Sequence, residues 1–251
     1  MGRESRIVAA SPRAKARLAG TLYGISAVPA GFSVYVLLKL VARGDPAATA
    51  TNILGSEGLF RLGFAADLVG ILFFVGAVLF LYELFKPVSR SLALLFVLFS
   101  MIGSAIQALD SVGDLAALLL LKGGTSLTAL ATDQARALAL LCLRLHTLTY
   151  DLALVFFGVF SILIGYLVLK STFLPRIFGV LMAIDGVGYL TFSLATFLSP
   201  PLAAHLYPYV PFLTAFLGEP PLMLWLIVKG VNADRWYEQA AAGVASLTPP
   251  G

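Results

Sequence analysis

The run Leu18–Leu38, LAGTLYGISAVPAGFSVYVLL, carries no charge over 21 positions. As a helix rising ~1.5 Å per residue it is roughly 31 Å long, which matches the ~30 Å hydrocarbon core of a bilayer. It follows a basic segment with Arg3, Arg6, Arg13, Lys15 and Arg17, so the two together resemble a secretion signal, with Val28-Pro29-Ala30 as a faint cleavage site. The run exceeds the ~7–15 apolar residues of such a signal. It therefore predicts a retained first span, and the parity of the whole topology turns on it. Within it, Gly20 and Gly24 form a small-xxx-small face suited to close helix contact.

The remaining chain repeats the pattern. Asp45-Pro46 opens a segment, Ala47–Leu54, too short to cross, with Asp45 as N-cap and Pro46 at the first helical position. Further spans are expected at about Leu62–Tyr82, Ser91–Leu121, Thr132–Leu169, Ile177–Leu198 and Tyr207–Val228. The fourth, at ~38 residues, would be roughly 57 Å long, so the third and fourth helices are expected to project on the outer side. Pro208, Pro211 and Pro220-Pro221 are expected to interrupt the sixth. The predicted fold is an all-α, six-span transmembrane bundle over residues 18–230. Residues 1–17 form a basic cytoplasmic segment, and residues 231–251 a cytoplasmic tail expected to be partly disordered.

Composition agrees. Of 251 residues, 59% are hydrophobic and 12% charged, and mean hydropathy is +0.94. A soluble domain carries ~25% charged residues, so a water-soluble enzyme of this size is excluded. The 17 basic residues stand in ones and twos at the ends of apolar runs, the footprint of membrane orientation rather than of nucleic-acid binding. Eleven lie on the side of the termini and six opposite, which puts both termini in the cytoplasm. A single cysteine, Cys142, excludes an internal disulfide and a CxxC site.

Acids inside apolar spans are the informative feature, since each costs about 2.5–3.5 kcal/mol at a helix centre on insertion scales. Counting residues from the basic anchors places Asp67, Gln107, Asp110 and Asp151 at ~25–30 Å depth, with Arg61, Asp114, Arg144 and His146 just above. Gln107, Asp110 and Asp114 share a helix face at i, i+3, i+7, as do Arg144, Thr147 and Asp151. His146 lies off that second stripe. This outer layer reads either as a polar pocket, in which a histidine can act as base near neutral pH, or as a salt-bridge network of Arg61 and Arg144 with the acids. Metal ligation by His146 with two aspartates is open on donor type. With no HxxxH or ExxH spacing, no metal and no cofactor is assigned.

Asp185 and Glu219 lie deeper, ~13–15 Å from Arg176 and Lys229, and two carboxylates meeting in low dielectric share a proton or bind a cation. Carboxylates beside broken helices make midplane ion sites in transporters.

The segments SEGLFRLGFAADL (56–68), RSLALL (90–95), FLPRIFGVL (173–181) and LWLIVKGV (224–231) resemble the recurrent segments of a bacterial family of multi-pass membrane proteins catalogued only as a domain of unknown function. The resemblance covers roughly residues 14–232. It implies a bacterial plasma-membrane location and a six-helix bundle, and supplies no activity. Three functional classes remain open. The first is small-molecule or ion handling, as a proton- or cation-coupled transporter or a ligand-binding sensor using Asp185 and Glu219. The second is an intramembrane hydrolase or transferase using His146 with aspartates, and the third is an accessory subunit of a membrane complex. Its partners are the bilayer and a small-molecule or ion ligand, and the sequence leaves oligomeric state open.

Overall fold

The computed structural model describes residues 11–42, 44–123 and 130–245. Six helices in it are long and apolar enough to cross a membrane: α1 (Pro12–Leu40), α3 (Glu57–Phe85), α4 (Arg90–Lys122), α5 (Thr132–Lys170), α6 (Arg176–Leu198) and α8 (Tyr209–Val228). Three shorter ones, α2 (Pro46–Gly55), α7 (Pro200–Leu206) and α9 (Ala233–Ala245), complete the described elements. The fold is an all-α, six-span bundle whose third and fourth spans are the longest, 33 and 39 residues. Large apolar side chains stand uncovered along the spans, Leu198 at 80%, Val28 at 73% and Leu72 at 72% exposure. That much uncovered apolar surface needs lipid around it.

Local chemistry explains the helix ends. Asp45 Oδ1 accepts a hydrogen bond from the Ala48 amide at 2.9 Å, with Pro46 at the first position of α2. α1 starts at Pro12, so part of the basic segment is already helical, and Lys15 is buried against Glu83 at 3.0 Å. One expectation, the interruption of the sixth span, is corrected. α8 runs unbroken through Pro220 and Pro221. A proline removes one amide donor, and a helix in a membrane tolerates that when neighbours satisfy the freed carbonyls.

The tail holds α9, which side chains tie down. Trp236 Nε1 donates to Leu84 O at 2.9 Å, and Gln239 bonds the Thr172 amide and Lys170 carbonyl at 3.0 and 3.2 Å. Residues 246–251 lie outside the described part.

The chain divides into two compact units. The first takes the described residues of Met1–Gly24, Phe74–Gly103 and Leu154–Gly251. Its core includes Leu81, Phe85, Phe96, Phe160, Leu167, Met182 and Leu226, with Phe74 edge-on to Tyr23, Phe157 and Phe160. A glycine seam joins α5 to α6 here. Gly158 faces Gly186 and Gly165 faces Gly179, and a Cβ added to Gly165 would sit 2.6 Å from the Gly179 carbonyl oxygen. Both pairs sum to the same residue number, as antiparallel helices in one register must. Gly20 packs as closely on α8, beneath Leu226 and the Met223 carbonyl, as the small-xxx-small face predicts.

The second unit, Ile25–Phe73 with Ser104–Ala153, has its own smaller core of Val36, Leu40, Ile53, Phe60, Leu118 and Leu143. Gly63 lies against Val36, and Gly70 against the Ser26 carbonyl.

Replacing Gly186 by valine should force α5 and α6 apart and destabilise the protein by about 1–3 kcal/mol or more, read as a lowered thermal midpoint in detergent. Gly31→Ala, at a helical position with nothing within 4 Å of the new methyl, should leave that midpoint unchanged or slightly raised.

Candidate functional site

In the second unit the i, i+3, i+7 face of α4 meets α3 and α5. Gln107 Nε2 donates to Asp67 Oδ1 at 3.0 Å, and Ser111 Oγ lies 3.2 Å from Asp67 Oδ2 and 3.4 Å from Asp110 Oδ1. From α5, His146 Nδ1 sits 3.3 Å from the backbone oxygen of Asp110, 3.4 Å from Asp114 Oδ1 and 3.7 Å from Asp110 Oδ1. A carbonyl only accepts, so in the neutral ring Nδ1 carries the proton and Nε2 keeps the lone pair. The His146 side chain is 12% exposed, and both aspartates beside it are buried.

Gly113, between the two aspartates, makes this approach possible. A Cβ there would lie 3.0 Å from the Cys142 carbonyl oxygen and 3.3 Å from His146 Cβ. A side chain at this position would push the histidine off its acids.

The outer-layer residues are thus divided. Asp67, Gln107, Asp110, Asp114 and His146 come together. Arg61 does not join them: it is 53% exposed and pairs at 2.8 Å with Glu57, one turn away, which Lys122 also reaches at 3.0 Å. Arg144 is exposed, and no ion pair among the described residues joins it to Asp67, Asp110 or Asp114. Asp151 is buried on α5. A network clamped by two arginines is therefore not what holds this cluster, because a local i, i+4 pair forms before a long-range one in which both charges must be desolvated. Asp110 Oδ2 has no hydrogen-bond partner among the described residues, and His146 is the cation-forming side chain facing the acids. No group of three or more His, Cys, Asp and Glu among the described residues is disposed to hold a metal ion.

Sequence spacing left Ser111 and Gly113 unnoticed. Ser111 stands four residues after Gln107, one turn along, so its place beside Asp67 was legible; Gly113 matters only through α5.

The first unit brings the deeper pair together. Asp185 is fully buried, with the Ser161 hydroxyl beside it and no hydrogen bond of full geometry to either carboxylate oxygen among the described residues. It packs on Gly218, where a Cβ would lie 2.6 Å from Asp185 Cβ. The neighbouring Glu219 accepts a hydrogen bond from Tyr189 Oη at 3.1 Å, and Tyr23 is within hydrogen-bonding reach of the same carboxylate. Tyr189 follows Asp185 by one turn, a spacing that could have flagged it.

Fold and sites define a multi-pass helical membrane protein with acids buried in its interior and one histidine set among them. The chain belongs to the family described as domain of unknown function DUF4386, whose model matches residues 18–230. It is also similar to an uncharacterized protein of Archaeoglobus fulgidus, 28% identical over 152 residues that cover 60% of this chain and 72% of the relative. No solved structure matches.

Removing the amide with Gln107→Leu leaves Asp67 Oδ1 short of a donor in a buried site, which costs about 1–3 kcal/mol. Chemical or thermal unfolding of the variant in detergent should show a loss of that size.

Proposed function

We propose that the protein is an intramembrane hydrolase or transferase in which His146 is the general base and Asp110 and Asp114 orient it. The carrying observation is the His146 Nδ1 contact to the Asp110 carbonyl, 3.3 Å, with the Asp114 carboxylate at 3.4 Å. An imidazole held through one nitrogen by a carbonyl or carboxylate presents the other as a base of defined orientation. Nε2 then takes the proton from a water or substrate hydroxyl as that oxygen attacks. The imidazolium so formed is stabilised by the two acids, and it returns the proton to the leaving group. No serine, threonine or cysteine side chain among the described residues hydrogen-bonds His146, which favours water as the attacking group.

Purified protein in nanodiscs, offered ester, phosphoester and amide reporter substrates, should turn over at least one class. His146→Ala should cut that rate by about 10²–10⁴-fold, and added imidazole should restore part of it, which a merely structural histidine would not allow. An undiminished rate in His146→Ala, or no turnover of any class by the native chain, overturns the reading.

The full burial of the Asp185 carboxylate beside Glu219 supports a second reading, proton- or cation-coupled handling of a small molecule or ion at Asp185 and Glu219. A fully buried carboxylate with no cationic partner favours holding a proton or a cation. Proteoliposomes loaded with a pH-sensitive dye should show proton flux that Asp185→Asn and Glu219→Gln abolish. Flux retained in both folded variants removes this reading.

The location that fits either chemistry is a plasma membrane, with residues 1–17 and 231–251 cytoplasmic on either side of the spanning region 18–230. The eleven-to-six split of basic residues supports that orientation. A bacterial source rests on the resemblance of the recurrent segments, while the relative found is archaeal.

A further inference from the structure

In the first unit a cavity of about 470 Å³ opens among α1, the α5–α6 turn, the end of α8 and the start of α9. Four cationic side chains line it, Arg13 and Arg17 one turn apart on α1, Lys229 after α8, and Arg235 on α9, and no acid does. Five basic residues elsewhere have a local acid. Lys15 and Lys86 share Glu83, Arg61 and Lys122 share Glu57, and Arg136 has Asp133. None of the four cavity cations makes an ion pair among the described residues.

The cavity is also held in shape. Arg13 Nε donates to the Val231 carbonyl at 3.4 Å and Arg235 Nη1 to the Thr172 carbonyl at 3.4 Å. The Asn232 amide donates to the Phe173 carbonyl at 3.2 Å. Gly230 makes the turn with φ of +67°, a conformation that brings the chain back against Arg13. Like charges gathered around one concavity repel one another, and the backbone bonds fix Arg13 and Arg235 there instead of letting them splay into solvent. Such a site is stabilised by an anion. Three guanidinium forks and an ammonium suit the several oxygens of a phosphate better than a single carboxylate. The volume is larger than a phosphate needs and lies in the range of small-molecule sites, about 300–1,000 Å³, and Trp225 supplies an apolar wall.

We infer that this cavity is a binding site for a phosphate-bearing anion, either the headgroup of an anionic phospholipid or a soluble phosphate ester. It is separate from His146 and from the Asp185–Glu219 pair and stands whether or not the proposed activities do. Basic pockets between spanning helices are suited to anionic headgroups, and the same oxygens on a free ester would be bound by the same side chains.

The test uses the full chain, purified in detergent and in nanodiscs of phosphatidylcholine with or without phosphatidylglycerol. Glycerol phosphate or inorganic phosphate is added to the phosphatidylcholine samples, and binding is read by Trp fluorescence and by the thermal midpoint. A raised midpoint with glycerol phosphate in phosphatidylcholine assigns a soluble ester. A rise only with phosphatidylglycerol assigns the lipid headgroup. In either case Arg17→Gln with Lys229→Gln, two side chains with no hydrogen bond to lose, should weaken binding about tenfold or more. Removing two exposed charges elsewhere, Lys39→Gln with Arg144→Gln, should not. No response to any of these probes, or equal loss in the two double variants, overturns the site.

Discussion

Close backbone approach at glycines is the constraint on which the rest of this structure depends. In lipid there is little hydrophobic gain from bringing one apolar helix to another, so association relies on packing and interhelical hydrogen bonds. The α5–α6 seam meets that need with Gly158 opposite Gly186 and Gly165 opposite Gly179. Gly113 and Gly218 extend the same device to the two polar clusters, by letting His146 reach its acids and by letting Asp185 lie against α8. A polar group in a spanning helix must reach a partner in its own unit or carry its desolvation cost, and the absent Cβ sets how far it can reach.

The two clusters differ in how they are satisfied. Asp67 is supplied by Gln107 and Ser111 from one neighbouring helix, while Asp110 and Asp114 lie beside one imidazole, with Ser111 also reaching Asp110. Glu219 has tyrosine donors, and Asp185 has the Ser161 hydroxyl beside it. Incomplete satisfaction of buried acids is costly in a scaffold and useful in a site that takes up protons, water or a cation.

Much of the site was legible in one dimension. Asp67, Asp110 and Asp185 stand out because a charge in an apolar run is rare, and Gln107, Asp110 and Asp114 fall on one face by helical period alone. Arg61 shows where that reasoning stops. Its depth put it beside the acids, but Glu57 lies four residues before it, and a surface pair one turn apart costs no desolvation. Arg144 and His146 show a second limit, since two residues apart on α5 they point to different sides, and which side meets α4 is a matter of helix rotation. Pro220-Pro221 marks a third: local preference argued for a break, and packing around α8 carried the helix through.

The sequence by itself determined the number of spans, which two are longest, and the helix starts marked by Asp45-Pro46 and Thr132, because hydropathy and capping are local properties read along the chain. It also determined that acids had to be buried, since the spans contain them. Tertiary structure alone decided which of them meet. His146 rather than Arg144 faces Asp110 and Asp114, Tyr189 rather than a cation serves Glu219, and Arg13, Arg17, Lys229 and Arg235 share one cavity. These pairings depend on the register and rotation of helices far apart in the chain, which are set by how closely their backbones can approach.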